Sequence, residues 1–327
     1  AASGIEFIFK GGTALMLLQG SPKRLSIDID IILPIRADLD DIFKTIIKER
    51  KFTRFELQKR QPNSNIEKAH YKFYYEPAYR TARTEENVLL DIIFEKPQYL
   101  QVLSHNIDST FVFQNRDPLQ VQIPSFDDLL GDKLTAFAPT TTGIPYEKNG
   151  QSSAMHIIKQ LYDIGQLFDQ FRNSEVTATT FHAFAKTELG YRNIADDTNL
   201  VLDDIFDTAL TVSTRGKLGK GNIDALMKGI DQLKRYIFSE TYHIEKAVIH
   251  AARAAYIASL IRKKETTVRR FSGTLEITAW NIDNNQYNKL NKLKKSNPEA
   301  FYYWFQALTL LNLEHAQHNS VMAMRQE

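Results

Sequence analysis

The spacing of apolar residues changes period at Pro124, and that change limits the chain to a fold of two unlike parts. Before it, Phe7–Phe9, Ser26–Leu33, Phe52–Leu57, Tyr71–Tyr75 and Val88–Phe94 are rich in aromatic and β-branched residues and are predicted as strands. Two shorter strands are expected near Thr110–Phe113 and Leu119–Ile123. Helical spacing occurs there only over Thr13–Leu18 and Leu39–Arg50. Ser125-Phe126-Asp127-Asp128 then fits a capping box that opens a helix through about Phe137. Beyond it, segments 155–172, 178–188, 199–213, 222–239, 242–263 and 298–314 all repeat with a helical period. The stretch between, from Pro139 to Ser153, has two prolines, two glycines and few apolar residues, and is expected to be a loop. The prediction is therefore an α/β domain over 1–138, a loop over 139–153 and a helical domain over 154–327, with no internal repeat.

Composition narrows the function classes. At 327 residues the chain is long enough for two cores. It has no cysteine, which excludes disulfides and thiolate zinc sites. No apolar run approaches the roughly 18 residues of a membrane span, and no signal-peptide pattern opens the chain, so a cytoplasmic protein with no membrane partner is expected. The chain begins Ala1-Ala2-Ser3 and enters an apolar run at once, which suggests a trimmed start with an element missing in front of it. A net charge of +2 does not by itself announce a polyanion partner, but Arg262-Lys263-Lys264, Arg269-Arg270 and Lys289 through Lys295 gather cations late in the chain. Such clusters can meet phosphates or simply form solvated helix faces.

The chemistry-bearing stretch is Lys10-Gly11-Gly12-Thr13-Ala14-Leu15, followed by Arg24-Leu25-Ser26-Ile27-Asp28-Ile29-Asp30-Ile31-Ile32. Side chains alternate faces along a strand, so Asp28 and Asp30 are expected to point the same way, about 7 Å apart, backed by an apolar face. Paired carboxylates suit magnesium, a hard cation that takes oxygen ligands; the competing explanation is a half-exposed edge strand with solvated acids. Val88–Phe94 carries one acid, Asp91, in an apolar strand, where a lone carboxylate is costly without partners. If that strand lies beside Asp28's, Asp91 becomes a third ligand. Two glycines between a strand and a helix let backbone approach a ligand and leave helix N–H groups open to phosphate.

Gly11-Gly12-Thr13 followed by Arg24-x-Ser26-x-Asp28-x-Asp30 resembles the first motif of the DNA polymerase beta-like nucleotidyltransferases, and within them the AbiEii/AbiGii toxin family. Asp132-Lys133-Leu134-x-Ala136 and Lys159-Gln160-Leu161-Tyr162-Asp163-Ile164 are similar to that family's later motifs. The resemblance covers roughly residues 7–170 and implies an α+β fold, a polymerase beta-like domain followed by a helical bundle. It further implies that Asp28, Asp30 and Asp91 bind Mg2+, with two ions expected. Gly11, Gly12, Thr13, Arg24 and Ser26 would hold the nucleotide, Lys133 would grip the triphosphate, and Asp163 would serve the active centre. An i,i+4 pair with Lys159 is the competing explanation for Asp163.

The implied reaction is transfer of a nucleotide from a nucleoside triphosphate to an acceptor hydroxyl, with RNA (a tRNA 3′ end) as acceptor and an antitoxin protein as partner. Adenylylation of a protein or small molecule, or nucleotide binding without turnover, are the alternatives. His243 and His250 lack the carboxylates of a metal site, and the aromatic run Phe301–Phe305 is expected in the core of a helix bundle rather than stacked on bases.

Overall fold

The computed structural model describes residues 3–26, 28–58, 67–79, 84–108 and 117–312. The expected strand at Thr110–Phe113 lies outside these residues. Contacts divide the chain into two compact units, Ala1–Leu129 and Leu130–Glu327.

The first unit is built on a seven-stranded sheet. In chain order its elements are β1 (Ile8–Lys10), α1 (Gly11–Leu18), β2 (Ile29–Leu33), α2 (Asp40–Glu49), β3 (Arg54–Leu57), β4 (Lys68–Tyr75), β5 (Glu86–Phe94), β6 (Val102–Asn106) and β7 (Gln120–Pro124). The strands lie in the order β3-β4-β5-β2-β1-β7-β6. β2 and β5 run parallel, while β1 and β4 flank them antiparallel. One face carries Phe9, Ile31, Ile92, Ala69 and Phe73, all buried. The amphipathic α2 presents Phe43 to this face, against the rings of Phe55, Tyr71 and Phe73 at 4.7–5.3 Å between centroids. Such edge-on pairs contribute about 0.5–1.5 kcal/mol each beyond the area they bury.

Two local expectations need correcting. The strand begun at Ser26 by sequence pattern starts at Ile29, because the Thr13 hydroxyl donates to the Asp28 carbonyl at 2.7 Å and ties that stretch to α1 instead of to a neighbouring strand. The strand β6 was not anticipated; Val-Leu-Ser-His-Asn sits at the sheet edge, largely exposed, so it carries no alternating apolar signal.

Helix α3 (Phe126–Ala136) is opened by the capping box: the Ser125 hydroxyl accepts from the Asp128 amide at 3.1 Å. The Asp128 carboxylate in turn accepts from the Ser125 hydroxyl and from the amides of Leu100 and Gln101. In the second unit, the stretch 139–153 is more ordered than a linker. It holds a small hairpin, β8 (Glu147–Lys148) with β9 (Gln151–Ser152). Its start is fastened by Asp204, which accepts from the Thr140 and Thr141 amides at 2.8 and 2.9 Å. The helices follow: α4 (Ala154–Gln170), α5 (Ser174–Tyr191), α6 (Thr198–Thr214), α7 (Ile223–Leu233), α8 (Ile244–Lys263), the short α9 (Leu293–Ser296) and α10 (Pro298–Leu311). The run Phe301–Phe305 on α10 is buried, as an aromatic core element. No helix among the described residues is long and apolar enough to cross a membrane.

Candidate active site

The sheet register gathers the chemistry of the first unit into one row. Asp30 on β2 stands opposite Asp91 on β5, opposite His70 on β4 in turn, with Lys10 of β1 on the other side of Asp30. Directly opposed residues share a face, with Cβ atoms about 4.5–5.5 Å apart. Asp91 Oδ1 lies 2.7 Å from His70 Nδ1, and no other hydrogen bond to its carboxylate occurs among the described residues. Asp28 immediately precedes β2; its carbonyl is held by Thr13, and its carboxylate has no hydrogen bond or ion pair among the described residues.

The glycines are required by close approach. Gly11 has φ 67°, a left-handed conformation that only glycine adopts without strain, and a Cβ there would collide with Asp30 Oδ2. A Cβ on Gly12 would collide with Ser26 Oγ and crowd the Arg24 guanidinium. Arg24 is buried and donates to the Leu25 carbonyl at 2.9 Å. Gly11, Gly12, Thr13, Arg24, Ser26 and Asp30 thus converge on the start of α1. That helix has no side-chain cap and no acid in its first turn, which leaves its leading amides open to an anion.

The donor chemistry of this row fits a hard divalent cation: two opposed carboxylates on neighbouring strands, with Asp28 two residues along. Among the described residues no three His, Cys, Asp or Glu side chains are already drawn into one coordination group. Magnesium does not need three, since it is held by one or two carboxylates and completes its shell with water and substrate phosphates.

In the second unit, Lys133 of α3 and Asp163 of α4 form an ion pair at 2.9 Å, with side chains 6% and 0% exposed. Lys133 also donates to Gln160 Oε1 at 3.0 Å. Leu129, Leu130, Leu134 and Phe137, on or just after the same helix, are all fully buried and anchor the helix that carries the ammonium. One residue earlier on α4, burial pushes the Tyr162 phenol up to about 12, and the nearby Glu240 and Asp163 carboxylates act in the same direction. Tyr162 packs edge-on to Tyr242 and beside His250, a buried imidazole whose Nδ1 has no hydrogen-bond partner among the described residues and whose ring covers Gly165.

Residues 1–235 match the family of AbiEii nucleotidyl transferase toxins of type IV toxin–antitoxin systems. The chain belongs to that family. This AbiEii-family chain is therefore a nucleotidyltransferase, and a toxin of the toxin–antitoxin kind. Among solved structures it is similar to MenT4, a nucleotidyltransferase toxin from Mycobacterium tuberculosis, with 12% identity and a TM-score of 0.40 over 91% of this chain and 85% of that one. No curated protein matches the chain.

His70 is the site residue that sequence reasoning missed. The predicted strand began at Tyr71, three residues after β4 starts and just past His70, and nothing local tells which strand lies beside Asp91.

Proposed function

We propose that this AbiEii-family chain transfers a nucleotide from a nucleoside triphosphate to a hydroxyl of RNA, at a tRNA 3′ end, and that an antitoxin protein restrains it. The acceptor oxygen bonds to the α-phosphorus, the α–β phosphoanhydride bond breaks, pyrophosphate leaves with the bonding electrons, and the hydroxyl proton is released. Asp28, Asp30 and Asp91 would hold Mg2+, two ions in all, which when bound neutralise charge at the attacking and leaving oxygens. Gly11, Gly12, Thr13, Arg24 and Ser26 would orient the phosphates at the start of α1. His70, bonded to Asp91, would fix the direction of that carboxylate as an outer partner does in metal sites. Lys133 would serve the β,γ-phosphates as a point charge, exchanging Asp163 for them.

The observation that carries this reading is the register of β2 on β5, which sets Asp30 and Asp91 side by side, with Gly11 leaving room for the Asp30 carboxylate. The test is incubation with labelled nucleoside triphosphates, Mg2+ and total cellular RNA. Labelled RNA is expected, with transfer reduced by roughly 10²–10³-fold in Asp30→Asn and in Asp91→Asn while both variants remain folded. Label on protein alone would replace RNA as the acceptor, and full activity in either variant would remove the carboxylate row from the reaction.

A further inference from the structure

Three basic clusters stand late in the sequence, and the structure gives two of them ordinary employment. Arg262 pairs with Asp203, and with Lys263 it occupies the last turn of α8, where cations complement the helix dipole. Arg270 donates to the Phe168 and Phe171 carbonyls at 2.7 Å each and so closes the end of α4. The third cluster is employed in this way at Lys294 but not along its exposed side.

From Asn284 to Pro298 the chain carries four lysines and no acid. The segment winds as a 3-10 turn over Asn288–Lys292 and continues as α9. Tyr287, Leu290 and Leu293, three residues apart, are buried and fix one side of it. Asn291 reinforces the hold, accepting from the Ile282 amide at 3.0 Å and donating to its carbonyl at 2.8 Å. Lys294 is bound to the Trp280 carbonyl at 2.6 Å. The remaining lysines, Lys289, Lys292 and Lys295, are also three apart and all exposed. Residues i and i+3 eclipse in a 3-10 turn, about 6 Å apart along the axis, and stay on one side, about 4.5 Å apart, in an α-turn. The three ammonium groups therefore form a column on a rigidly anchored ridge. Lys217 adjoins it, its carbonyl receiving a 3.5 Å contact from Lys289 Nζ.

None of Lys217, Lys289, Lys292 and Lys295 is in an ion pair among the described residues. Several other lysines of the same unit are matched with acids: Lys186 with Asp196, Lys220 with Asp207, Lys234 with Asp231 and Lys246 with Glu240. A column of like charges without interleaved acids is unfavourable in isolation and becomes favourable against a polyanion with a comparable spacing of charges, such as successive phosphates of a nucleic-acid strand.

We propose that the Lys289–Lys292–Lys295 column, with Lys217, is a docking surface for the phosphate backbone of the acceptor RNA. This inference rests on the reading of RNA as acceptor. The surface contacts phosphates and no bases, so it holds RNA in a sequence-tolerant way.

The test is fluorescence anisotropy of a short fluorescein-labelled single-stranded RNA with the full chain, without triphosphate, across a range of salt. Replacing Lys289, Lys292 and Lys295 together by Ala should weaken binding roughly 10- to 100-fold at 0.1 M salt and lower the salt slope by about 2. The triple Lys→Arg variant should retain binding. The pair Lys186→Ala/Lys234→Ala, which removes matched lysines of the same unit, should stay within about twofold of the parent. Thermal melting confirms that each variant is folded. Unchanged affinity and slope in the triple Ala variant, with RNA still bound by the parent, overturns the surface and leaves the acceptor reading intact. An equal loss in the Lys186/Lys234 control also overturns it, because net charge alone would then explain binding. No RNA binding by the parent, together with transfer to protein, overturns both.

Discussion

Breaking the Lys133–Asp163 pair separates a desolvated ion pair from an ordinary surface contact. Both side chains are withdrawn from water and their charged atoms are 2.9 Å apart. Removing one member leaves the other charge buried without its counter-ion, which costs about 3–5 kcal/mol in a site of this kind. Lys133→Met, which keeps the stem but deletes the ammonium, should fall at the upper end. Asp163→Asn should fall at the lower end, because Asn is isosteric and Gln160 Oε1 remains to accept from the ammonium. The double variant Lys133→Met/Asp163→Leu should recover most of the loss, since well-packed apolar replacements of buried pairs are often neutral. Urea unfolding followed by tryptophan fluorescence is suited to the question, because Trp280 and Trp304, the two tryptophans of the chain, both lie in the second unit and are buried there. The double-mutant cycle should give a coupling energy above about 2 kcal/mol. Single-variant losses below about 1 kcal/mol with no coupling would show that the pair is solvated, and the argument from desolvation would fail.

Three further outcomes follow from the geometry. Lys133→Ala should weaken triphosphate binding far more than monophosphate binding by calorimetry, on variant confirmed folded; an equal loss for both ligands would take Lys133 away from the β,γ-phosphates. Gly11→Ala must place a side chain at positive φ and displace the Asp30 carboxylate, so about 1–2 kcal/mol of stability and a larger share of transfer activity should be lost; normal turnover would mean Asp30 works equally well when moved. Burial, with the Arg253 and Lys246 charges adding to it, holds the His250 imidazole down to about 3. An unfolded chain titrates near 6.5 and so binds more protons between these values; stability should fall by roughly 2 kcal/mol from pH 6.5 to 5, and His250→Leu should lose that slope. Identical pH profiles for parent and variant would refute it.

What could be read from sequence was what is local in the chain. The Gly11-Gly12 pair, the acids Asp28 and Asp30 at the start of β2 and Asp91 in the apolar run of β5 announce themselves through composition and alternation, because each pattern is complete within ten residues. The partners of those groups are not local. His70 reaches Asp91 through an antiparallel pairing across 21 residues, and β4 reads from its aromatic residues as a strand whose neighbours are undetermined. The same limit applies to Asp163. Helical spacing offered Lys159 one turn away, whereas the structure pairs Asp163 with Lys133, 30 positions earlier and on another helix. The loop from Pro139 was legible as a break in periodicity, but its fastening by Asp204 joins residues more than 60 apart. β6 was hidden for a different reason: an exposed edge strand buries too little on either face to write an alternating pattern.

The row Lys10–Asp30–Asp91–His70 also explains how a sheet can keep two carboxylates side by side. Like charges directly opposite each other on neighbouring strands are destabilising, by a fraction of a kcal/mol to about 1 kcal/mol. Here the two acids are bracketed: the register puts a lysine beyond one and an imidazole within hydrogen-bonding distance beyond the other. The opposite face of the same strands is filled by Phe9, Ile31, Ile92 and Ala69, and on the acidic face itself Ile32, two residues beyond Asp30, is fully buried, so packing resumes immediately past the acids. The sequence separates the two tasks by parity. Residues 29, 31 and 33 of β2 and 88, 90 and 92 of β5 share the packing face, while Asp30 and Asp91 share the other with the buried Ile32 beyond them. A shift of register by one residue would exchange the faces and bury both carboxylates in the core, so the apolar face that stabilises the sheet is also what fixes the acids on one surface.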